Sequence, residues 1–563
     1  MKNKNKLLVV GGVAGGASCA ARARRLSEDA EIIIFERGPH ISFANCGLPY
    51  HVGKVIPREK SLIIASPELF KKRFNIDVRT DNNVRNIDRK NKEIEVENLK
   101  TGEVYKESYD SLVLSPGAVP LRPKLDGIDI PGIFTLRTIP DMRAIIDWIE
   151  TQDVKKAAVV GGGFIGLEMS ENLKIRDIDV TIIEMQQQVM PLLDPEIAAI
   201  IHFHLKAKGI SLELGSPVTG FSQNNDNMIA VTLESGKTVA VDLVILAIGV
   251  RPEVELAKAA GINIGELGGI LVDEQMRTSD ESIWAVGDAI EVKNYVTTSQ
   301  SLVQLAGPAN RQGRIAADVI MGNNSSHHSR FRGAQGTSVC GVLGLTIAAT
   351  GTTEKTLRQH NSNDNLGRYE KIYLHPSHHA GYYPGAETIT IKLIFSTENG
   401  RILGAQAVGK AGVEKRIDII AMAIQQNGTV FDLEEAELCY APQYGSAKDP
   451  VNMAGMIASN LLRGFSSVAH WEDLASSNAY ILDVREPSEF KRGHVKNAVN
   501  IPLGGLRERM SELPRDREIW AYCYEGKRSY VAARILVQHG FKVQNISGGY
   551  LTYMAVKQYK DLP

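Results

Sequence analysis

The chain has 563 residues, and because a hydrophobic core stops growing near ~250–300 residues, several domains are expected. A formal net charge of −1 gives no overall field to attract nucleic acid or an anionic membrane, and no apolar run reaches the ~20 residues that cross a bilayer. Five widely separated cysteines form neither a metal knuckle nor a disulfide framework, so we expect a soluble, cytoplasmic protein with isolated thiols and no metal.

The first elements are two units of strand, glycine turn and helix, at residues 6–26 and 155–173. Each is followed by an apolar strand that ends in an acid, Glu36 after the first unit and Glu184 after the second. These acids lie 25 and 23 residues beyond the first glycine of their turns, close to the ~20 that bring a carboxylate to a ribose hydroxyl. The repeat predicts two dinucleotide sites; the alternative is a pair of simple tight turns in a doubly wound sheet.

Later elements predict further domains. Short apolar strands whose carboxyl ends face a ligand are expected within 109–120, 241–252 and 281–289. After a polar stretch at 322–331, an alternating strand at 388–395 and an apolar-faced helix at 415–427 predict an α+β domain over 330–462. A small parallel α/β domain is expected over 467–563. The predicted fold class is therefore α/β.

The two glycine turns are not equivalent. All three glycine positions of the dinucleotide pattern are filled in the second turn, by Gly161, Gly163 and Gly166. In the first turn Val13 stands in place of the middle glycine. At the second site Glu184 favours NADH over NADPH, because a carboxylate accepts from a 2′-hydroxyl and repels a 2′-phosphate. NADPH stays open as the alternative.

Five segments in chain order, GGVAGG, SFANCGLPY, SPGA, GGGFIG and AVGDA, resemble the FAD-dependent pyridine nucleotide-disulfide oxidoreductases, over residues 1 to about 460. The resemblance implies two Rossmann-like domains, for FAD (1–150 and 275–325) and for the nicotinamide nucleotide (151–274), with 330–462 as a dimerisation domain. It assigns Asp288 to the flavin ribityl chain. The cofactor-binding residues that it implies are Gly11, Gly12, Val13, Ala14, Gly15, Gly16, Glu36, Arg37, Ser115, Pro116, Gly117, Gly161, Gly163, Phe164, Ile165, Gly166, Glu184, Gly249, Gly287, Asp288 and Pro308.

Cys46 is the predicted redox residue, and it has no nearby partner. Relatives of the glutathione reductase type carry a second cysteine five positions later, where this chain has His51. Single-cysteine members resemble either NADH oxidases and peroxidases or coenzyme A-disulfide reductases. The peroxide-handling group typically has a histidine in the first glycine turn, where this chain has Ala14, so the coenzyme A branch is favoured. A buried inert cysteine is the alternative.

A coenzyme A site requires cations for its phosphates. The first helix offers Arg22, Arg24 and Arg25, and the segment LFKKRF offers Lys71, Lys72 and Arg73, although a solvated face is the alternative. The residues predicted to bind this substrate are Arg22, Arg25, Ser42, Phe43, Asn45, Lys71 and Arg73. By resemblance, Tyr382 and Tyr440 reach the active cysteine from the partner subunit of a homodimer and protonate the leaving thiolate; ordinary interface packing is their alternative.

The C-terminal domain resembles a single-domain rhodanese through ILDVREPSEFKRGHVKNAVNIP and the loop CYEGKRS. Cys523 opens a tight loop into a helix, where main-chain N–H groups stabilise a thiolate or persulfide. The six-residue loop from Cys523 to Arg528 suits sulfur transfer by resemblance, and Arg528 is predicted to bind an anionic donor. Arg485 with Asp483 is predicted to brace the fold.

These motifs together lead to one hypothesis. An NADH-dependent FAD enzyme reduces coenzyme A persulfide, polysulfide or coenzyme A disulfide through Cys46, and Cys523 carries sulfane sulfur. The alternatives are a coenzyme A-disulfide reductase with an unrelated rhodanese role, an NADH oxidase or peroxidase, and a sulfur-carrier protein that needs only the last domain.

Overall fold

The computed structural model describes residues 5–224, 228–322, 329–360 and 367–559. It has two compact units, the first formed by Met1–Met185 with Ile210–Gly336 and the second by Gln186–Gly209 with Thr337–Pro563. Most of the polar stretch expected at 322–331 lies outside the described residues. Within the described ranges, no helix is both long enough and apolar enough to cross a bilayer.

Two five-stranded parallel sheets form the framework of the first unit. Strand order in one is Ile283–Ala285, Ser111–Leu114, Lys6–Val10, Glu31–Glu36 and Asp77–Thr80. Strand order in the other is Ser211–Leu214, Asp179–Glu184, Lys156–Val160, Leu243–Leu246 and Ile133–Phe134. The inner strands of both sheets are buried on both faces, which explains why they are largely continuous apolar runs in the sequence. The seven strands predicted at the glycine turns and ligand-facing ends are confirmed.

Helices and small antiparallel sheets complete the first unit. Its helices are Gly15–Leu26, Leu48–Val52, Pro67–Phe74, Ile139–Thr151, Phe164–Ile175, Glu255–Ala259 and Ala306–Met321. Its shorter strands are Asn82–Asp88, Glu93–Asn98, Val104–Ser108, Ala118–Pro120, Val218–Gln223, Ile229–Leu233, Thr238–Val241, Val250–Pro252, Ile270–Leu271, Ile290–Lys293 and Gln300–Leu302. Helix Ile139–Thr151 begins at a capping box in which Thr138 and Asp141 satisfy each other's main-chain N–H groups.

The second unit contains an antiparallel sheet and a parallel one. Strand order in the antiparallel sheet is Ser338–Val342, Leu345–Gly351, Ile402–Gly409, Ile389–Ser396 and Tyr369–Leu374. The parallel sheet, near the C-terminus, has the order Val468–Ala469, Val543–Ile546, Ile519–Tyr522, Tyr480–Asp483 and Val499–Asn500. The helices are Pro195–Ala207, Glu354–His360, Val413–Gln425, Val430–Glu435, Pro450–Leu462, Pro487–Arg492, Lys527–Gln538 and Gly549–Val556. The predicted apolar-faced helix is confirmed, two residues earlier than expected.

The predicted alternation along strand Ile389–Ser396 is wrong. Every residue of this strand except Thr390 is buried, including Lys392. Lys392 has no exposed surface because its ammonium group lies among the carboxylates of Asp194, Glu196 and Glu354. Lys392 is therefore an interior residue whose charge is paired within the protein. Its presence in the strand does not mean that one side of the strand faces solvent.

Candidate active sites

The first glycine turn requires its glycines for steric reasons. Gly11 has φ of +95°, and a Cβ atom there would lie 2.1 Å from the Ser115 carbonyl oxygen. A Cβ on Gly16 would lie 1.9 Å from the Gly11 carbonyl oxygen. The Gly12 N–H donates to Glu36 Oε2 at 2.8 Å, and the Gly16 N–H donates to Ser115 Oγ at 3.0 Å. The predicted residues of this turn therefore lie together, at the start of helix Gly15–Leu26.

The second turn repeats this geometry. Gly161 has φ of +107°, and a Cβ there would lie 2.3 Å from a main-chain oxygen. The Gly162 N–H donates to Glu184 Oε2 at 2.7 Å, as Gly12 does to the acid of the first turn. Among the described residues no atom lies within 4 Å of a Cβ built on Gly163, so the space in front of helix Phe164–Ile175 is open. Both turns therefore have the shape of a pyrophosphate cradle.

Asp288 lies in a short turn, Gly287–Ala289, that follows the edge strand Ile283–Ala285. Its Oδ2 accepts a hydrogen bond from Arg137 Nη2 at 3.2 Å. The Gly287 N–H donates to Gln312 Oε1 in helix Ala306–Met321, which also contains Pro308. Gly117 and Gly249 have φ of +80° and +110° respectively. Arg37 directly follows Glu36, the acid of the first turn. Its guanidinium makes a bidentate pair with the Glu253 carboxylate, at 2.7 and 3.1 Å.

Cys46 lies in the turn Asn45–Gly47, immediately before helix Leu48–Val52, and reaches solvent. The Ser42 N–H donates to the Gly12 carbonyl oxygen at 2.8 Å, which ties this segment to the first glycine turn. The Cys46 N–H donates to Asn45 Oδ1 at 3.0 Å, and the thiol lies 3.6 Å from the same oxygen.

The protein atoms around Cys46 raise the pKa of its thiol by desolvation, and the nearby Glu168 carboxylate raises it further. Arg137 acts in the opposite direction. Glu168 accepts from the Tyr50 hydroxyl at 3.2 Å, and burial raises the pKa of this carboxyl as well. The protein's side chains alone therefore do not produce the lowered thiol pKa that the sequence analysis required of this site.

His51 takes the place of a second cysteine. Its Nδ1 donates to the Ile56 carbonyl oxygen at 2.6 Å, which fixes the ring against its own loop. Cys46 therefore has no thiol partner five residues along the chain.

Only some of the predicted phosphate-binding cations are free to face a ligand. Arg22 Nε donates to Asp318 Oδ1 at 2.5 Å. Arg24 is buried, and its guanidinium donates to main-chain carbonyl oxygens, among them those of Ala30 and Asn75. Arg24, which was not among the residues predicted to bind the substrate, is therefore an internal residue that donates to main-chain carbonyl oxygens left unpaired near helix ends. The cations with exposed side chains are Arg25, Lys71, Lys72 and Arg73.

Tyr382 and Tyr440 lie together in the second unit. Their hydroxyl oxygens are 2.9 Å apart, and the side chains are 76% and 50% exposed. The hydrogen bond with Tyr440 raises the pKa of Tyr382. Two phenols 58 residues apart in sequence thus form one exposed pair.

Cys523 lies between strand Ile519–Tyr522 and helix Lys527–Gln538. It is 2% exposed, and its Sγ accepts from the Gly526 N–H at 3.1 Å and from Ser529 Oγ at 3.5 Å. The Tyr550 N–H donates to the Cys523 carbonyl oxygen at 2.8 Å. A Cβ on Gly549 would lie 2.5 Å from that same oxygen, so helix Gly549–Val556 supports the loop at close range. This arrangement stabilises an anionic sulfur by main-chain donors and the helix N-terminus.

Arg528 faces both the cysteine and an acid of helix Pro487–Arg492. Its two terminal nitrogens donate to the Glu489 carboxylate at 2.6 and 2.8 Å. The guanidinium also interacts with Cys523. Asp483 and Arg485 form a buried pair at 2.6 Å, with Arg485 stacked 4.2 Å from the Tyr550 ring centroid, so the bracing interaction predicted for them is present.

Sequence reasoning missed several residues of these sites. Glu168 lies near Cys46, Ser529 bonds Cys523, and Glu489 bonds Arg528 beside Cys523. Glu489 and Ser529 lie within the two rhodanese segments and Glu168 within the second glycine unit, but their side-chain partners are not visible in the sequence. The buried cluster around Lys392 was also missed. Its three carboxylates lie close enough together to hold a metal, but they converge on the Lys392 ammonium group. The sign of this cluster in the sequence was a single lysine, Lys392, within an otherwise apolar strand.

The parallel sheets, the paired glycine turns and the cysteine segment tied to the first turn define an α/β oxidoreductase with two dinucleotide cradles. Residues 5–313 match the family model described as pyridine nucleotide-disulphide oxidoreductase, residues 337–449 match its dimerisation domain, and residues 468–555 match the rhodanese-like domain. The chain belongs to the pyridine nucleotide-disulphide oxidoreductase family and carries a rhodanese-like domain. It is accordingly an oxidoreductase and a flavoprotein by family.

Two relatives each match about four fifths of the chain. The coenzyme A disulfide reductase of Staphylococcus haemolyticus is 36% identical over 456 residues, which are 81% of this chain and 100% of the relative. An NADH oxidase of Methanocaldococcus jannaschii is 36% identical over 450 residues, which are 80% and 97% of the two chains.

Two solved structures cover nearly the whole chain. Reduced Bacillus anthracis CoADR-RHD is 48% identical, with a TM-score of 0.95 and 99% of each chain covered. A NAD-dependent persulfide reductase from A. fulgidus is 37% identical, with a TM-score of 0.90 and 97% of this chain and 100% of the other covered.

Proposed function

We propose that this protein is an NADH-dependent FAD enzyme that reduces a sulfur–sulfur bond carried on coenzyme A. Its substrates are coenzyme A persulfide, polysulfide and coenzyme A disulfide, and Cys46 is the redox residue. The observation that carries the proposal is the hydrogen bond from the Ser42 N–H to the Gly12 carbonyl oxygen, which holds the Cys46 segment against the first dinucleotide cradle.

The residues present fit both cofactors. At the first turn, a strained glycine, a helix N-terminus and Glu36 suit the pyrophosphate and ribose of FAD, with Asp288 and Ser115 to Gly117 beside it. At the second turn, the open space before Gly163 and the carboxylate of Glu184 suit NADH. FAD, when bound, supplies the two-electron relay between the nicotinamide and a sulfur atom.

Cys46 performs the sulfur chemistry. Its thiolate attacks the outer sulfur of a coenzyme A persulfide, a new S–S bond forms at Cys46, and the old S–S bond breaks. The coenzyme A thiolate leaves and takes up the proton of the persulfide. Two electrons from NADH and one proton would then break the S–S bond of the Cys46 persulfide anion, restoring the Cys46 thiolate and releasing hydrosulfide. Asn45 Oδ1, which accepts from the Cys46 N–H, orients the cysteine in this step.

Other residues of the chain bind the substrate and handle protons. The exposed cations Arg25, Lys71 and Arg73 bind the coenzyme A phosphates, while Arg22 already shares its charge with Asp318. The phenol pair of Tyr382 and Tyr440, reaching across a homodimer, relays the persulfide proton: it protonates the departing thiolate and regains a proton from the persulfide. Cys523 holds sulfane sulfur as a persulfide and exchanges it with coenzyme A.

The names of the similar proteins support this proposal. The two structures that cover nearly the whole chain are named as a fused CoADR-RHD protein and as a persulfide reductase. An NADH oxidase is the second candidate, because a relative of that name is equally identical. Ala14 weighs against the peroxide-handling branch, since it cannot act on a sulfenic acid as a histidine does.

The test is steady-state NADH oxidation with coenzyme A persulfide, coenzyme A disulfide, oxygen and peroxide in turn. We expect the persulfide to turn over fastest and Cys46→Ser to abolish its reduction. Cys523→Ser should keep reduction of coenzyme A persulfide but lose the use of sulfane sulfur that Cys523 takes from polysulfide. Cys439→Ser, which changes another exposed thiol, is the control and should behave like wild type. Fastest turnover of oxygen or peroxide, with persulfide reduction intact in Cys46→Ser, would overturn the proposal.

A further inference from the structure

The cation nearest Cys523 is already occupied by an acid. Arg528 makes a bidentate pair with Glu489 at 2.6 and 2.8 Å, and the two side chains are 34% and 22% exposed. Bidentate pairing of a guanidinium with a carboxylate is the strongest arrangement available to both groups. The Arg528 guanidinium lowers the pKa of Glu489 to about 2, so the acid is ionised at any pH at which the enzyme works.

The rest of the loop adds no net positive charge. Glu525 and Lys527 are both exposed and opposite in sign. Glu489 offsets the charge of Arg528, whose guanidinium also interacts with Cys523. The donors at Cys523 that are not paired with an acid are the Gly526 N–H, the Ser529 hydroxyl and the helix N-terminus. These donors suit the single charge of a thiolate or persulfide on Cys523.

We propose that Glu489 determines the donor specificity of the rhodanese-like domain. By holding Arg528, it makes the loop reject thiosulfate, a dianion, and accept sulfane sulfur from an organic persulfide. The inference rests on the proposed role of Cys523 as a sulfur carrier. The sequence analysis expected Arg528 to bind an anionic donor, and the pair with Glu489 explains why it does not act as an open anion site.

The charge balance of the two reactions differs. With an organic persulfide, the Cys523 thiolate attacks the outer sulfur, the persulfide S–S bond breaks, and the thiolate that leaves takes up the persulfide proton; one negative charge is present throughout. With thiosulfate, the same attack releases sulfite, and three negative charges meet at the loop. An acid that neutralises the arginine of the loop therefore disfavours the reaction with thiosulfate far more than the reaction with an organic persulfide.

The test compares two sulfur donors in the full-length holoenzyme. Sulfur transfer to cyanide is measured with thiosulfate and with an alkyl persulfide for wild type and Glu489→Gln, which keeps the shape of the side chain. We expect kcat/KM for thiosulfate to rise roughly tenfold, through KM, as a charge-assisted hydrogen bond to the donor becomes available. The alkyl persulfide should change by less than about twofold, and the gain with thiosulfate should shrink as salt is added.

Two further variants make the result decisive. Glu512→Gln removes another bidentate arginine pair of the same domain, with Arg509, and should leave both donors unchanged. Glu489→Gln combined with Arg528→Gln should lose the gain. Equal losses with both donors in Glu489→Gln, or no change with thiosulfate, overturn the inference and leave the carrier role of Cys523 standing. Failure of the wild type with both donors, or transfer that survives Cys523→Ser, overturns the carrier role itself and the inference with it.

Discussion

At the scale of single residues, glycines and acids set the geometry of both dinucleotide cradles. The N–H of the second glycine in each turn donates to the acid of the neighbouring strand, Gly12 to Glu36 and Gly162 to Glu184, at 2.8 and 2.7 Å. This bond holds the carboxylate beside the turn, where its oxygens can also accept from a ribose hydroxyl because each carries two lone pairs. At Glu36 the other carboxylate oxygen, Oε1, accepts from the Gly38 N–H at 2.8 Å. The cradle shape thus follows from the absence of a Cβ and from one hydrogen bond.

Gly161→Ala tests the second cradle at this scale. The added Cβ would meet the Ala247 carbonyl oxygen at 2.3 Å, at a φ of +107° that side chains avoid, so the turn must shift. We expect NADH affinity to fall at least about tenfold while flavin content, read from visible absorbance, stays at the wild-type level. Gly341→Ala is the control, because a Cβ there meets no described atom within 4 Å. Unchanged NADH affinity in Gly161→Ala would contradict the assignment of this turn.

At the scale of elements, strand Tyr369–Leu374 and the residues after it make hydrogen bonds to the segment that holds the rhodanese loop. The Tyr373 N–H donates to Ser547 Oγ at 2.9 Å, and His375 Nε2 lies 2.9 Å from Thr552 Oγ1. Ser547 and Thr552 flank the start of helix Gly549–Val556, the helix whose N–H groups bind the Cys523 loop. The antiparallel sheet and the sulfur loop are thus joined by consecutive hydrogen bonds within one unit.

His375 makes the second unit sensitive to acid. Burial lowers the pKa of His375 from 6.5 to about 4, because the charged imidazolium loses its contact with water. The two ring nitrogens of His375 make hydrogen bonds with Thr390 and Thr552. The unfolded chain takes up a proton below pH 6.5 and the folded one only near pH 4, so stability is full above pH 6.5 and falls between these values, by about 3 kcal/mol at most. Burial lowers the pKa of His202 in the same way, to about 4.

Urea unfolding at pH 7 and at pH 5 measures this effect. His375→Gln should lose stability at pH 7 and show a smaller difference between the two pH values, with the remaining difference coming from His202. His494→Gln changes an exposed histidine and should keep the wild-type pH dependence. The same pH dependence in His375→Gln as in wild type would contradict the role of His375.

At the scale of the whole molecule, the proposed active unit is a dimer. The match to a dimerisation domain at residues 337–449 includes Tyr382 and Tyr440, whose hydroxyl pair is exposed within one chain. An exposed pair of phenols is an unusual solvent-facing feature, and burial at a subunit interface accounts for it.

Subunit complementation tests the dimer. Co-expression of Cys46→Ser with the double variant Tyr382→Phe and Tyr440→Phe produces mixed dimers. If the phenols act across the interface, each mixed dimer has one intact site, and the mixture should recover about a quarter of the wild-type rate with coenzyme A persulfide. Phenols that act within their own subunit predict no recovery. Each variant expressed alone is the control.

The sequence by itself determined the parts that depend on short spacing: the two glycine turns with their acids, Cys46 without a cysteine at position 51, and the loop from Cys523 to Arg528. Those features are local, because a turn, a strand and a helix start are fixed by residues within about 25 positions. Only the tertiary structure decided that Arg24 is internal, that Glu489 holds Arg528, and that Lys392 is surrounded by acids from distant segments. The acids that bind Arg528 and Lys392 lie 38 to 198 residues from them in the sequence and leave no periodic signal, because these partners meet only when the chain packs.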